Sequence, residues 1–270
     1  MDLMEMLSKV SVLNKDNKKR FTVTDRLDVI SKLLWDTEYR RINADGLFNL
    51  YAKKPLDYMK DKNVFVVSTH VDCENNITRC FSEDLGNGLL KGTYDNSLTN
   101  TAILSLMLSD SLPDNVLVAF TGDEEETSEG ANNLIRFLRD NQLKAKFIFV
   151  LDVTDMAWNE QADFTIENDL WNDDCLGRRI IAIAENLQYC WRFVPSDPSD
   201  VPDYININNI IFEEAAEDES WDYDDEEIDC CSICIPIQGN MHSNRGVLAR
   251  KTSLYRYIEL LNELLNIKID

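Results

Sequence analysis

The chain has 270 residues, with 49 acidic and 27 basic side chains and a formal net charge of −22. Because 44% of the residues are hydrophobic, the chain can bury a sizeable core, which excludes a wholly disordered protein. The strong acidity argues against nucleic acid and anionic membranes as partners, since both attract basic surfaces. The length suits one α/β domain spanning residues 1–270.

The start of the chain and its cysteines bear on the compartment. The first residues lack the basic segment and apolar stretch of a secretory signal, and no run approaches the roughly 18 consecutive apolar residues of a membrane helix. The seven cysteines are an odd number, and Cys231 and Cys234 form a lone Cys-x-x-Cys pair inside a strand-like run. We predict structural thiols there, with a redox or metal role as the alternative, and a cytoplasmic protein.

The first forty residues are predicted to be helical. Thr24 and Asp25 can cap a helix in which apolar residues recur at helical spacing as far as Leu34. Residues 46–51 then alternate between apolar and polar side chains, which predicts a half-buried strand.

Three short apolar runs follow, at residues 64–67, 116–120 and 147–151. Their content of Val, Ile and Phe is typical of strands covered on both faces, as in a mainly parallel sheet. Helices are predicted between and after these runs, at residues 98–108, 132–138 and 253–265. The alternation predicts a single-domain α/β fold, in which a mixed, mainly parallel sheet is flanked by helices on both faces.

One segment, residues 213–229, has a strongly biased composition. It contains 11 acidic residues among 17 and no basic residue, so it carries half of the net charge. Blocks of like charge usually remain solvated, which predicts an acidic loop. The alternative is a loop that helps to shape an entrance for cationic substrates.

Residues able to bind a metal follow the ends of the predicted strands. The only two histidines, His70 and His242, come after the first run and after a run at residues 233–237. Glu124 and Glu125 follow the second run, and Asp152 follows the third. Because ligands bind outside the carboxyl ends of strands in open α/β sheets, we expect these side chains to converge.

The residue types at these positions suit metal-assisted hydrolysis. Asp72 can accept the free ring N–H of His70 and so fix the tautomer that binds a metal. Of the adjacent acids Glu124 and Glu125, one can bind a metal while the other takes a proton from water, although both could simply cap the following helix. Asp95 precedes another helix and is either a turn residue or a carboxylate between two metals.

These motifs resemble the co-catalytic zinc exopeptidase superfamily, which includes glutamyl and leucyl aminopeptidases. The motifs His-x-Asp, Gly-x-x-Asp-Asn, Asp-Glu-Glu, Leu-Asp-Val-Thr and Met-His-Ser occur in the order that this superfamily shows. The matching segments run from about residue 46 to residue 265. The resemblance implies a metallopeptidase with the phosphorylase/hydrolase-like fold of that superfamily.

The resemblance also implies a role for each site residue. It implies five metal ligands: His70, Asp95, Glu125, Asp152 and His242. Asp95 would bridge two zinc ions, for which cobalt or manganese could substitute, and Glu124 would act as general base and acid. Asp72 would orient His70. Asp155 is a rival for Asp152, but it lies three residues farther from the end of the predicted strand.

The function predicted on this basis is a two-metal aminopeptidase that hydrolyses N-terminal residues from small peptides. Only 24 residues separate His70 from Asp95, too few for the inserted domain that builds shell-like assemblies in glutamyl-type enzymes, so we expect a monomer or a small homo-oligomer. One alternative is other amide chemistry on the same scaffold, by a deacylase, a carboxypeptidase or a glutaminyl cyclase. Another is a non-catalytic protein that binds a basic partner through the acidic loop.

Overall fold

The computed structural model describes residues 1–13, 21–60, 62–167, 175–195, 203, 206–207 and 229–267. Of the acidic segment at residues 213–229, all but the last residue therefore lies outside the described residues. Within the described ranges the helices are α1 (Leu3–Ser11), α2 (Val23–Leu33), α3 (Leu56–Met59), α4 (Ser97–Leu108), α5 (Glu129–Asp140), α6 (Cys175–Asn186) and α7 (Lys251–Leu265). None of these helices is long and apolar enough to cross a membrane.

The strands form one extended sheet. They are β1 (Arg40–Ala44), β2 (Phe48–Ala52), β3 (Val64–His70), β4 (Ser82–Asp84), β5 (Leu89–Gly92), β6 (Val116–Thr121), β7 (Ala145–Thr154), β8 (Phe164–Glu167), β9 (Trp191–Val194), β10 (Asp229–Gln238) and β11 (Val247–Arg250). The order across the sheet is β1-β2-β6-β3-β7-β10-β11-β5-β4, and β8 pairs with both β10 and β9. Strands β6, β3, β7 and β10 run parallel at its centre, and antiparallel strands extend the sheet on both sides. The predicted mixed, mainly parallel sheet is confirmed.

Helices cover both faces of this sheet, as predicted. Alternate residues of β3 point in opposite directions, so Phe65 and Val67 join a core with α1, α2, α4 and α7, while Val64 and Val66 join a second core with α5. The same alternation holds along β6 and β7. Central strands buried on both faces are what the nearly continuous apolar runs predict.

Two strands differ from the sequence-based expectation. Strand β2 is buried along its whole length rather than half-buried, because it pairs with β1 and β6 and because Phe48 packs edge-on against Phe137 of α5. Strand β7 continues to Thr154, three residues past the apolar run. Its pairing with β10 explains this extension, since Asp152 lies opposite Cys234 and Thr154 lies opposite Pro236.

Helix α2 begins earlier than the capping residues predicted from the sequence. Its N-cap is Thr22, and Asp25 lies in the first turn and turns back toward it. The Asp25 Oδ2 atom accepts a hydrogen bond of 2.7 Å from the Thr22 backbone N–H. Asp25 therefore caps the helix from inside the first turn, which is the geometry of a capping box.

The Cys-x-x-Cys pair lies within β10. Cys231 and Cys234 are both buried, and neither forms a disulfide. Because they are three residues apart along a strand, their side chains point to opposite faces of the sheet. This geometry argues against a shared metal ion or a disulfide between the two.

Candidate metal centre

The predicted ligands come from five places around the carboxyl ends of the parallel strands. His70 is the last residue of β3 rather than a residue beyond it, and Asp152 lies within β7, two residues before its end. Glu125 follows β6, Asp95 precedes α4, and His242 lies in the connection between β10 and β11. Because β3, β6 and β7 are parallel neighbours, these elements deliver their side chains to one edge of the sheet.

Asp95 lies at the middle of the group. Its side chain is buried, and its two oxygens face different histidines. The Oδ1 atom lies 3.0 Å from His70 Nε2, and the Oδ2 atom lies 3.4 Å from His242 Nε2. One carboxylate therefore links two imidazoles through separate oxygens.

Each histidine is faced by one further carboxylate. His70 Nε2 lies 3.4 Å from Asp152 Oδ1, and His242 Nε2 lies 3.3 Å from Glu125 Oε2. The site thus has two halves, each composed of one imidazole, one terminal carboxylate and one oxygen of Asp95.

The spacing of these atoms fits metal binding. Tetrahedral zinc with ligands at about 2.0–2.1 Å keeps neighbouring ligand atoms roughly 3.3 Å apart. The nitrogen–oxygen distances in both halves, 3.0–3.4 Å, are close to that separation. In addition, Glu125 Oε1 is buried and has no hydrogen-bond partner among the described residues, as expected for an atom whose partner is a cation.

Asp72 connects the two halves. Its Oδ1 atom lies 3.3 Å from His70 Nδ1, and its Oδ2 atom accepts a hydrogen bond of 3.2 Å from the Glu125 backbone N–H. The first contact leaves Nε2 of His70 free to face the other carboxylates. The buried Arg26 side chain in turn donates to the carbonyl oxygens of Val71 and Asp72, which fixes the segment after β3.

A buried amide network lies under Asp95 and His70. Asn96 Nδ2 donates to the carbonyl oxygen of Leu151 at 2.7 Å, and Asn100 Nδ2 donates to the carbonyl oxygen of His70 at 2.8 Å. These bonds fix the start of α4 against β3 and β7 and so set the position of Asp95. The motif Gly-x-x-Asp-Asn contains Asn96 but gave it no role, and sequence reasoning missed Asn100, although a polar residue on an otherwise apolar helix is a usable signal.

The pKa of Asp95 is lowered, whereas the pKa values of its neighbours Glu125 and His242 are raised. Burial would raise the pKa of Asp95, but hydrogen bonds with His242 and His70 hold it below its ordinary value. Burial and the charge of Asp95 raise the pKa of Glu125 to about 8. The hydrogen bond with Asp95 raises the pKa of His242 to about 9.

Glu124 and Asp152 are also disfavoured in their charged forms. Removal from water raises the pKa of Glu124 well above its ordinary value, and the charges of Asp152 and Asp203 raise it further, although His70 opposes them. Burial also raises the pKa of Asp152. Without a cation, the centre holds protons more tightly than ordinary carboxylates do, since ordinary carboxylates lose theirs well below neutral pH.

The structure separates the rival residues predicted from the sequence. Asp155 is exposed beyond the end of β7, whereas Asp152 faces His70. Sequence reasoning missed Asp203, a buried acid that contacts both ends of the loop between β6 and α5. A single aspartate in a polar stretch has no periodic pattern that would have identified it.

A cleft of about 270 Å³ borders the centre beside Asp72 and Glu125. Phe21 and Val23 contribute apolar surface to it, and other carboxylates line it as well. None of its described lining residues is Lys or Arg. The cleft therefore offers space and negative charge next to the ligands.

Comparison with known proteins identifies the fold. No protein-family model matches the chain, and no curated protein matches it in sequence. The TET1 peptidase of Pyrococcus horikoshii, which can assemble into a tetrahedron or a large octahedral shell, superposes with a TM-score of 0.66 at 11% identity, over 99% of this chain and 100% of the other. An aminopeptidase of the archaeon Desulfurococcus kamchatkensis superposes with a TM-score of 0.67 at 12% identity, over 98% of this chain and 96% of the other.

A zinc aminopeptidase of Bacillus subtilis also shares the architecture. It superposes with a TM-score of 0.55 at 14% identity, over 81% of this chain and 48% of its own. At such low identity these likenesses establish the fold alone. The chain has the α/β fold of these peptidases.

Proposed function

We propose that this protein is a metal-dependent aminopeptidase that uses two zinc ions to remove N-terminal residues from small peptides. The observation that carries the proposal is the position of Asp95, whose two oxygens face two histidines that each have a further carboxylate. A bridging carboxylate between two such sets is the donor arrangement that a two-metal hydrolytic centre requires.

In this proposal, each residue of the centre has a separate role in hydrolysis. His70 and Asp152 would hold one ion, Glu125 and His242 the other, and Asp95 both. Bound zinc acidifies a water molecule and polarises a carbonyl group. Glu124 would accept a proton from the attacking water at its carboxylate and pass it to the leaving amine. A raised pKa suits this exchange, because the group must gain and release a proton near neutral pH.

Two observations favour action at a peptide's amino terminus. Among the fold neighbours, the proteins from Desulfurococcus and Bacillus are named aminopeptidases. The cleft beside Glu125 is lined by carboxylates without a described Lys or Arg, which suits a substrate carrying a free ammonium group. We extend the proposal to a cytoplasmic location, since the cysteines that the structure describes form no disulfide. We also extend it to a monomer or small homo-oligomer, since only 24 residues separate His70 from Asp95.

The first experiment combines metal counting with an activity panel. Native mass spectrometry after zinc loading should give two ions per chain, and His242→Ala should bind fewer. A panel of aminoacyl para-nitroanilides, with N-acetylated and C-terminal substrates beside it, should show turnover only where the amino group is free. A single bound ion would point instead to cyclase-like chemistry.

Glu124→Gln separates an enzyme from a binding protein. Loss of a general base should lower kcat between about 10²- and 10⁴-fold while the zinc count stays at two. The matched control is Glu129→Gln, which removes an acid paired with Arg136 at the start of α5. Unchanged turnover in Glu124→Gln would exclude the mechanism.

A further inference from the structure

Asp203 is a buried carboxylate that the proposed mechanism does not use. It is only 2% exposed, and its Oδ2 atom lies 3.4 Å from the Thr121 hydroxyl, which donates to it. The Ser128 hydroxyl lies close enough to lower the pKa of this carboxylate. Its Oδ1 atom is buried and has no hydrogen-bond partner among the described residues.

The two hydroxyl groups mark the ends of one loop. Thr121 is the last residue of β6, and Ser128 is the N-cap of α5. The loop between them, residues 122–127, carries Glu124 and Glu125. A single carboxylate thus contacts both ends of the segment that contributes the proposed base and one proposed ligand.

The conformation of this loop depends on such support. Asp123 and Ser128 both have left-handed backbones, with φ of 67° and 55°, a region that non-glycine residues seldom occupy. The Asp123 carbonyl oxygen accepts hydrogen bonds from the backbone N–H groups of Thr127 and Ser128, and Asn206 Nδ2 donates to Ser128 Oγ at 2.8 Å. The loop is therefore held from within, by Asn206 at Ser128 and by Asp203 at Thr121.

Two other roles for Asp203 conflict with its surroundings. A substrate contact requires access, yet its carboxylate is closed to solvent and both of its hydroxyl partners are buried. A purely space-filling role does not require a carboxylate, since an apolar side chain would fill the volume without the cost of burying a charge. Besides its charge, which raises the pKa of Glu124, what remains is its position at the two ends of the loop.

We propose that Asp203 is a positioning residue, which sets the placement of Glu124 and Glu125 by holding Thr121 and Ser128 together. Its effect on turnover rests on the proposed aminopeptidase function, whereas its effect on the loop does not. Displacing a reacting group by about 1 Å can cost 10²-fold in rate, so even a modest relaxation of the loop should be measurable.

The test compares Asp203→Leu and Asp203→Asn with a matched control. Leucine retains the bulk and removes both acceptors, whereas asparagine retains one. The control is Asp163→Asn, since Asp163 is also buried but receives its hydrogen bonds from Arg256 and Cys190. Asp203→Leu should lower kcat by about 10- to 100-fold and leave KM within threefold of the wild-type value. The kcat of Asp203→Asn should lie between the values of Asp203→Leu and wild type. The control should lower Tm and leave kcat within twofold.

Hydrogen exchange gives a readout that needs no substrate. In Asp203→Leu the amides of residues 122–130 should exchange at least tenfold faster than in wild type, while those of β3 and β7 stay unchanged. Faster exchange throughout the core, or an unchanged loop, would overturn the proposal, as would a kcat within twofold of wild type. A wild type that cleaves no peptide would refute the aminopeptidase function, and the exchange result would still decide the role of Asp203.

Discussion

Asp72 offers the sharpest test of the candidate centre, because one side chain supports both halves of it. One oxygen faces His70 Nδ1, and the other accepts the Glu125 backbone N–H. If His70 and Glu125 hold different ions, then Asp72→Ala must weaken the binding of both. A residue that supported a single ion would weaken only one.

The expected size of the effect follows from the geometry. The two contacts measure 3.3 Å and 3.2 Å, longer than the usual 2.9–3.0 Å for a nitrogen–oxygen hydrogen bond. We therefore assign each contact the lower end of the range for charged hydrogen bonds, about 1.5 kcal/mol. Since about 1.4 kcal/mol corresponds to a factor of ten, the Kd of each ion should rise roughly tenfold in Asp72→Ala. A tenfold change lies at the lower end of the roughly 10- to 100-fold loss of metal affinity that follows removal of a residue orienting a metal ligand.

The assay is a zinc competition titration against a chromophoric chelator, which resolves two Kd values per chain. Asp72→Asn serves as the internal comparison. Its amide retains one acceptor oxygen, so the Kd of one ion should rise less than the Kd of the other. A rise in only one Kd for Asp72→Ala, or in neither, would refute the bridging role and with it the division of ligands between two ions.

Three further predictions follow from the same geometry. Metal-free protein should lose thermal stability as the pH rises from about 4.5 to about 9. The pKa values of His242 and Glu125 are raised in the folded state, to about 9 and about 8. Their contributions to stability are therefore fully present below their ordinary pKa values of 6.5 and 4.5, and they are lost as the pH rises through the folded values. In calorimetry, the Tm of zinc-loaded protein should instead rise with pH, because the ligands bind zinc in their deprotonated forms. A Tm of the metal-free protein that does not change with pH would contradict the assignment. Asp152→Asn should lower the zinc count in native mass spectrometry, whereas Asp155→Asn should leave it at two, and equal effects would remove the distinction between them. Arg26→Met should lower the free energy of unfolding, measured in urea, by about 3 kcal/mol, because the substitution leaves buried carbonyl oxygens without donors. A loss below about 1 kcal/mol would show that water replaces the guanidinium group as donor.

The sequence predicts the central sheet well because burial on both faces produces continuous apolar runs. The limits of those runs do not mark the limits of the strands. Asp152 follows the run at residues 147–151, yet it lies within β7 because β10 supplies a parallel partner as far as Thr154. Pairing with a strand some 80 residues away is a tertiary effect, so no local pattern encodes this boundary.

The same reasoning separates the site residues that a sequence can reveal from those that it cannot. His70 and His242 are conspicuous because they are the only histidines and because each follows an apolar run. Arg26 and Asp203 carry no such signal: one is a basic residue on an amphipathic helix, and the other is an acid in a polar stretch. Their importance arises only when the chain buries them against β3 and β6.

The electrostatics of the centre connect its fold to its proposed activity. Asp95, Glu124, Glu125 and Asp152 lie around two imidazoles in a chain that already carries a net charge of −22. Carboxylates this close cannot all ionise in a partly dry site, so the metal-free protein retains protons that a divalent cation would displace. Metal binding should therefore release protons and become stronger as the pH rises. The crowding of carboxylates that makes the metal-free centre costly is thus the feature that would give it affinity for cations.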